Sequence, residues 1–139
     1  VKHGEPVLLL VEDSDDDAEL ILRAIRRSSP DVNTIREDVI PTGIERFDEL
    51  VSQGRTPFLV IVDGRVAGSD AAELLSHVRT SASPSTPIVV MSGAVEDRVA
   101  ARYSDLGADD VLRKPVDYSD FLNLVSETIA TYKARLRDS

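Results

Sequence analysis

Apolar residues fall along this chain in two patterns: short unbroken runs, and longer stretches in which they recur three and four positions apart. Pro6–Val11 is the first unbroken run, and its abrupt end in acidic residues marks a buried strand. Ala18, Ile21, Leu22 and Ile25 return at helical spacing, and Ser28, Ser29 and Pro30 close that helix. Val32–Asp38 alternates apolar with polar, as a half-exposed edge strand does. Ile44, Phe47, Leu50 and Val51 mark a second helix stopped by Gly54, and Phe58–Val62 is again an uninterrupted strand. That strand runs into Asp63 and a loop containing Gly64 and Gly68. Ala71, Leu74, Leu75 and Val78 predict a third helix, and Pro87–Met91 a fourth strand followed by Ser92 and Gly93. Val99, Tyr103 and Leu106 supply the inward stripe of a fourth helix, with Gly107 at its end. Asp109–Arg113 is a weak fifth strand. Phe121, Leu124, Val125, Thr128, Ile129 and Tyr132 predict a last amphipathic helix whose end, Lys133–Arg137, is basic and solvated.

Regular alternation of strand and helix predicts an α/β fold, a parallel sheet with helices on both faces, because right-handed crossovers lay each helix against the sheet. At 139 residues and 42% apolar composition the chain fits one domain, with a core over about residues 6–132 and short extensions at either end. Sixteen basic against 25 acidic residues give a net charge of −9, which argues against a nucleic-acid partner. The absence of cysteine excludes disulfides, thiolate metal sites and thiol catalysis. The longest apolar run is too short to span a bilayer and the first residues lack signal-peptide blocks, so a cytoplasmic protein without a membrane partner is expected.

In a doubly wound sheet, ligands bind beyond the carboxyl ends of the strands, where strand order reverses. Here the first strand ends in Glu12 and Asp13, the third in Asp63, the fourth in Ser92 and the fifth in Lys114. With neighbouring strands roughly 5 Å apart, the three carboxylates come within one metal ion's reach. Crowded carboxylates repel one another unless a cation sits among them, and an oxygen-only set suits Mg2+. Asp15, Asp16 and Asp17 are assigned instead to the first turn of a helix, where acidic groups oppose the dipole. His3 and His77 do not support a phosphohistidine relay.

Four segments resemble the receiver domains of bacterial two-component response regulators: LLLVEDS over Leu8–Ser14, LVIVD over Leu59–Asp63 with Gly68 and Asp70 beyond it, PIVVMSGA over Pro87–Ala94, and GADDVLRKP over Gly107–Pro115. The resemblance covers nearly the whole chain and implies a flavodoxin-like sheet of five parallel strands in the order 2-1-3-4-5, with five helices, as a stand-alone receiver. It implies that Asp63 accepts phosphoryl from a sensor histidine kinase or phosphotransfer protein. Asp13, Asp63 and the Arg65 carbonyl would hold Mg2+, with Glu12 acting through a bound water. Lys114 and the Ser92 hydroxyl would meet the phosphoryl oxygens, and the Arg65 side chain would face solvent within reach of phosphoryl. Pro115 matches a family proline that is cis and aims the lysine. The downstream protein partner, or a second copy, would dock on the face of fourth helix, fifth strand and fifth helix.

Two positions depart from the family. Ala67 replaces a proline four residues after the acceptor, and Val111 replaces the aromatic that swings during activation. Tyr103 is assigned to packing rather than to that missing role. One competing reading is a haloacid-dehalogenase phosphatase, which needs an acid/base aspartate where Arg65 stands. The other is a degenerate receiver that binds partners without being phosphorylated.

Overall fold

The computed structural model describes residues 4–66, 68–93 and 97–137. Five strands, β1 (Val7–Val11), β2 (Asn33–Glu37), β3 (Leu59–Asp63), β4 (Ile88–Ser92) and β5 (Asp110–Arg113), form one parallel sheet in the order β2-β1-β3-β4-β5. Helices α1 (Asp15–Ser28), α2 (Ile40–Ser52), α3 (Ala72–Arg79), α4 (Asp97–Asp105) and α5 (Tyr118–Arg137) alternate with them. The flavodoxin-like order implied by the resemblance is therefore present.

Successive side chains of a strand point to opposite faces, so each central strand feeds two cores. Leu8, Leu10, Leu59, Ile61, Val89 and Met91 pack with Ile21 and Ile25 of α1 and Phe121, Val125 and Ile129 of α5. Leu9, Val11, Val60, Val62, Ile88 and Val90 pack on the other face with Ile40 and Phe47 of α2, Leu74, Leu75 and Val78 of α3, and Tyr103 of α4. Burial on both faces explains why β1, β3 and β4 read as unbroken apolar runs. Every residue of edge strand β2 is half-buried, which explains its alternation.

The boundaries differ from expectation where polar residues do the folding. Helix α1 begins at Asp15, before the apolar stripe, because Ser14 caps it by accepting the Asp17 N–H at 3.2 Å. Helix α2 begins at Ile40, with Pro41 in its first turn, where a missing N–H costs nothing. Gly43 lets α2 lie close on β1: a Cβ there would come 2.9 Å from Val11 Cγ2. Leu106, expected to face inward, is 36% exposed, since α4 ends at Asp105 and Leu106 leaves the helical phase. The loop after Asp63 contains a two-residue antiparallel ribbon, Arg65–Val66 against Ser69–Asp70, too short to carry any periodicity. Ala67 lies outside the described residues, as do His3 and Ala94.

Candidate functional site

Val11 of β1 is in register with Val62 of β3, so the residues that follow, Glu12 and Asp63, end neighbouring strands side by side. Asp13 follows Glu12, and one carboxylate oxygen from each of Glu12, Asp13 and Asp63 lies within 4.8 Å of the others. Glu12 is only 1% exposed, and Asp13 is open to solvent. Ser92 ends β4 half-buried, in register with Arg113 of β5.

Lys114 follows β5. Its backbone N–H donates to the Ser92 carbonyl at 2.8 Å, and its side chain runs back past the end of β4 to the carboxylates. Nζ donates to Glu12 Oε1 at 2.7 Å, Asp17 Oδ2 at 2.8 Å and Asp63 Oδ2 at 2.9 Å. The remaining oxygen of Asp63, Oδ1, accepts the Arg65 N–H at 3.2 Å. Hard oxygen donors, one sealed from solvent, two reachable and all at sheet ends, fit a small divalent cation that keeps part of its water.

The family model described as the response regulator receiver domain matches residues 8–126. This chain belongs to the response regulator receiver family. This receiver is similar to the two-component response regulator ORR3 of Oryza sativa subsp. indica, 32% identical over 130 residues that cover 93% of this chain and 95% of the relative. Among solved structures it is similar to a response regulator receiver domain from Rhodospirillum rubrum, with a TM-score of 0.83, 25% identity, and 92% and 94% of the two chains covered. The phosphorylated cyanobacterial phytochrome response regulator RcpA shares the fold, with a TM-score of 0.83 at 18% identity over 95% of this chain and 96% of that one. Receivers are phosphoacceptors of two-component signalling that work with histidine kinases or phosphotransfer proteins and typically bind Mg2+.

The electrostatics of this receiver's site follow from three carboxylates, Glu12, Asp17 and Asp63, around one ammonium. Burial, reinforced by the charge of Asp63, pushes the Glu12 carboxyl up to about 7 despite the lowering effect of Lys114 and of the Ser14 N–H. Burial alone would lower the Lys114 ammonium, but the hydrogen bonds it donates to Asp17, Glu12 and Asp63 outweigh it and raise the lysine above its ordinary value. Both shifts favour holding more protons, as expected where negative groups outnumber positive ones.

The predicted residues Glu12, Asp13, Asp63 and Lys114 come together, and Ser92 ends the neighbouring strand. Arg65 contributes its backbone N–H, while its side chain is turned outward, donating to the Gly68 carbonyl at 3.0 Å and lying 3.7 Å from Asp70. Pro115, matched to a cis proline, is not cis: among the described residues every peptide bond is trans. The trans form is lower by about 0.5–1 kcal/mol in a tertiary amide, and Lys114 reaches the carboxylates from it. Val116 beside it is fully exposed and offers no packing to offset that difference.

Asp17 was not expected in the site. Its signal was present: Asp17, Ile21 and Ala24 stand at i, i+4 and i+7, so Asp17 shares the buried face of α1, whereas Asp15 and Asp16 do not. Asp15 pairs outward with Arg36 at 2.9 Å. Tyr103 packs as expected at 3% exposure, and its hydroxyl also donates to the Gly64 carbonyl at 2.9 Å, one residue from Asp63. Arg102 lies 5.6 Å over the Tyr103 ring and binds Asp70 Oδ2 at 3.0 Å. Burial opposes ionisation of Asp70, yet the Ala72 N–H and Arg102 hold its carboxyl below the ordinary range. Burial and the nearby Asp70 charge raise the Tyr103 hydroxyl, so it stays a neutral donor.

Proposed function

We propose that this receiver takes a phosphoryl group on Asp63 from the phosphohistidine of a sensor kinase or phosphotransfer protein, and changes its partner binding as a result. The observation that carries this reading is the Lys114 ammonium 2.9 Å from Asp63 Oδ2, within a set of three carboxylates able to surround one metal ion. Asp63 ends a central strand with one oxygen on Lys114 and the other on the Arg65 N–H, so its geometry is set before a donor arrives.

In the transfer, an Asp63 carboxylate oxygen bonds to phosphorus while the bond from phosphorus to the histidine nitrogen breaks. The imidazole leaves with that electron pair. Lys114 turns an N–H toward a phosphoryl oxygen, and the Ser92 hydroxyl donates to another. Mg2+, held by Asp13, Asp63 and the Arg65 carbonyl with Glu12 behind a water, would supply positive charge against the phosphoryl oxygens when bound. Millimolar to sub-millimolar affinity is in keeping with so hydrated a site.

The receiver unit comprises about residues 6–132, and the face of α4, β5 and α5 receives the downstream partner or a second copy. Among the described residues no helix is long and apolar enough to cross a membrane. The cytoplasm, where phosphohistidine donors are made, is the compartment this chemistry requires.

The test is mass spectrometry after treatment with acetyl phosphate and Mg2+. One added phosphoryl group is expected, absent without Mg2+ and absent in Asp63→Asn. Label kept by Asp63→Asn would identify another acceptor, and no label on the wild-type chain would favour the degenerate receiver.

A further inference from the structure

An ammonium has three N–H groups, and Lys114 spends one on each of Glu12, Asp17 and Asp63. Two of these partners, Glu12 and Asp63, also belong to the carboxylate set able to hold a metal ion, while Asp17 does not. Asp17 stands on α1, one turn inside the Ser14 cap, with its side chain 33% exposed. The Lys114 side chain is only 10% exposed. A divalent ion entering the site therefore competes with the ammonium for the same two carboxylates and repels it. A poorly solvated ammonium that loses those partners needs another acceptor, because a charge left unpaired away from water is costly.

We propose that Asp17 is a positioning residue for Lys114: it gives the ammonium an anchor outside the metal's ligand set, so that metal and lysine occupy the site together. The inference rests on the Mg2+ part of the function proposed above, and needs nothing of the phosphorylation. Asp17 holds the cation next to Asp63 while Glu12 and Asp63 turn oxygens to the metal. Without Asp17 the lysine has only the metal's oxygens, and metal binding must displace it into a cramped, poorly hydrated space.

The experiment is a double-mutant cycle on the full chain, read as Mg2+ dissociation constants by calorimetry, with Mn2+ as a second probe. The proteins are wild type, Asp17→Asn, Lys114→Met and the double variant. Asp17→Asn keeps the backbone N–H that the Ser14 cap uses, so α1 retains its start. Asp17→Asn should weaken Mg2+ binding about three- to tenfold, within the usual coupling between residues of one polar network. In the Lys114→Met background the same substitution should change the constant less than about twofold, since the ammonium it served is gone. Equal weakening in both backgrounds would make Asp17 a bare charge near the metal and overturn the proposal, as would unchanged binding in Asp17→Asn. Should Lys114→Met fail to fold, Lys114→Gln closes the cycle. Absence of Mg2+ binding by the wild-type chain would overturn the metal reading as well, whereas binding without coupling would overturn the role of Asp17 alone.

Discussion

The two flanks of Asp63 are built on different physics. On one side, α1 and α5 sit on a broad apolar face, and the contact with Asp63 is ionic, through Lys114 among Glu12 and Asp17. On the other side stands α4, whose one buried residue is Tyr103, and the link nearest Asp63 is a neutral hydrogen bond from that tyrosine to the Gly64 carbonyl, with the exposed Arg102–Asp70 pair beyond it. Helix α5 buries Phe121, Val125, Thr128, Ile129 and Tyr132. An element held by five buried side chains is part of the global fold, while one held chiefly by a single ring opens at low cost. The charged flank is therefore suited to the chemistry and the tyrosine flank to movement.

The largest expected difference between the flanks is in stability. Ile129→Ala removes a fully buried side chain from the α1/α5 core and should cost about 2–5 kcal/mol, lowering the midpoint of urea unfolding without changing its slope. A loss below about 1 kcal/mol would mean that α5 is no better anchored than a surface helix.

The ionic flank should also carry a pH dependence above pH 4.5, a range in which Asp70 on the tyrosine flank, held below its ordinary value by the Ala72 N–H and Arg102, is already ionised. The Glu12 carboxyl rises from its ordinary 4.5 to about 7 in the folded chain. Between those values the folded state keeps a proton that the unfolded state gives up. Without metal, the Glu12 contribution is thus complete below pH 4.5 and is lost as pH rises to about 7, on the order of 1–3 kcal/mol. Unfolding in EDTA across that range, compared with Glu12→Gln, isolates the effect, and saturating Mg2+ should reverse it because metal favours the ionised carboxylate. Parallel curves for wild type and Glu12→Gln would refute the assignment.

How far sequence reasoning reached follows the same division. Strands β1, β3 and β4 were legible because burial on both faces leaves no room for polar residues, and Asp63 was legible because it ends one of them. Glu12, Asp13 and Lys114 could be placed from strand ends alone. Asp17 looked interchangeable with Asp15 and Asp16 until the start of α1 fixed its phase. The Tyr103 hydroxyl finds its acceptor 39 residues away in the chain, a pairing that periodicity does not encode. The misplacement of Leu106 has a similar cause, since one residue past a helix end the spacing rule no longer applies.

The smallest expected effect in stability is the most informative about signalling. Tyr103→Phe keeps the ring and removes only the hydroxyl, so the loss should be about 0.5–1.5 kcal/mol, the usual net value of one hydrogen bond; the Gly64 carbonyl still accepts the Ala71 N–H at 2.9 Å. Val111, half-buried against the same core, has neither the size nor the polar tip to act as the rotating aromatic of its family. On the function proposed above, Ser92 moving toward a phosphoryl group on Asp63 would then act on α4 through the segment ahead of Asp97 and through Tyr103. Residues 94–96 of that segment lie outside the described residues. Amide exchange should therefore change at the start of α4 when beryllofluoride is added, with little change at Val111 and none in α5. In Tyr103→Phe the change in α4 should shrink while beryllofluoride still binds, because the hydroxyl meets the Gly64 carbonyl and Asp70 and lies outside the cluster of Glu12, Asp13 and Asp63. An undiminished response in that variant would leave Tyr103 a packing residue and remove the tyrosine flank from the path of the signal. Equal responses in α4 and α5 would erase the contrast between the flanks altogether.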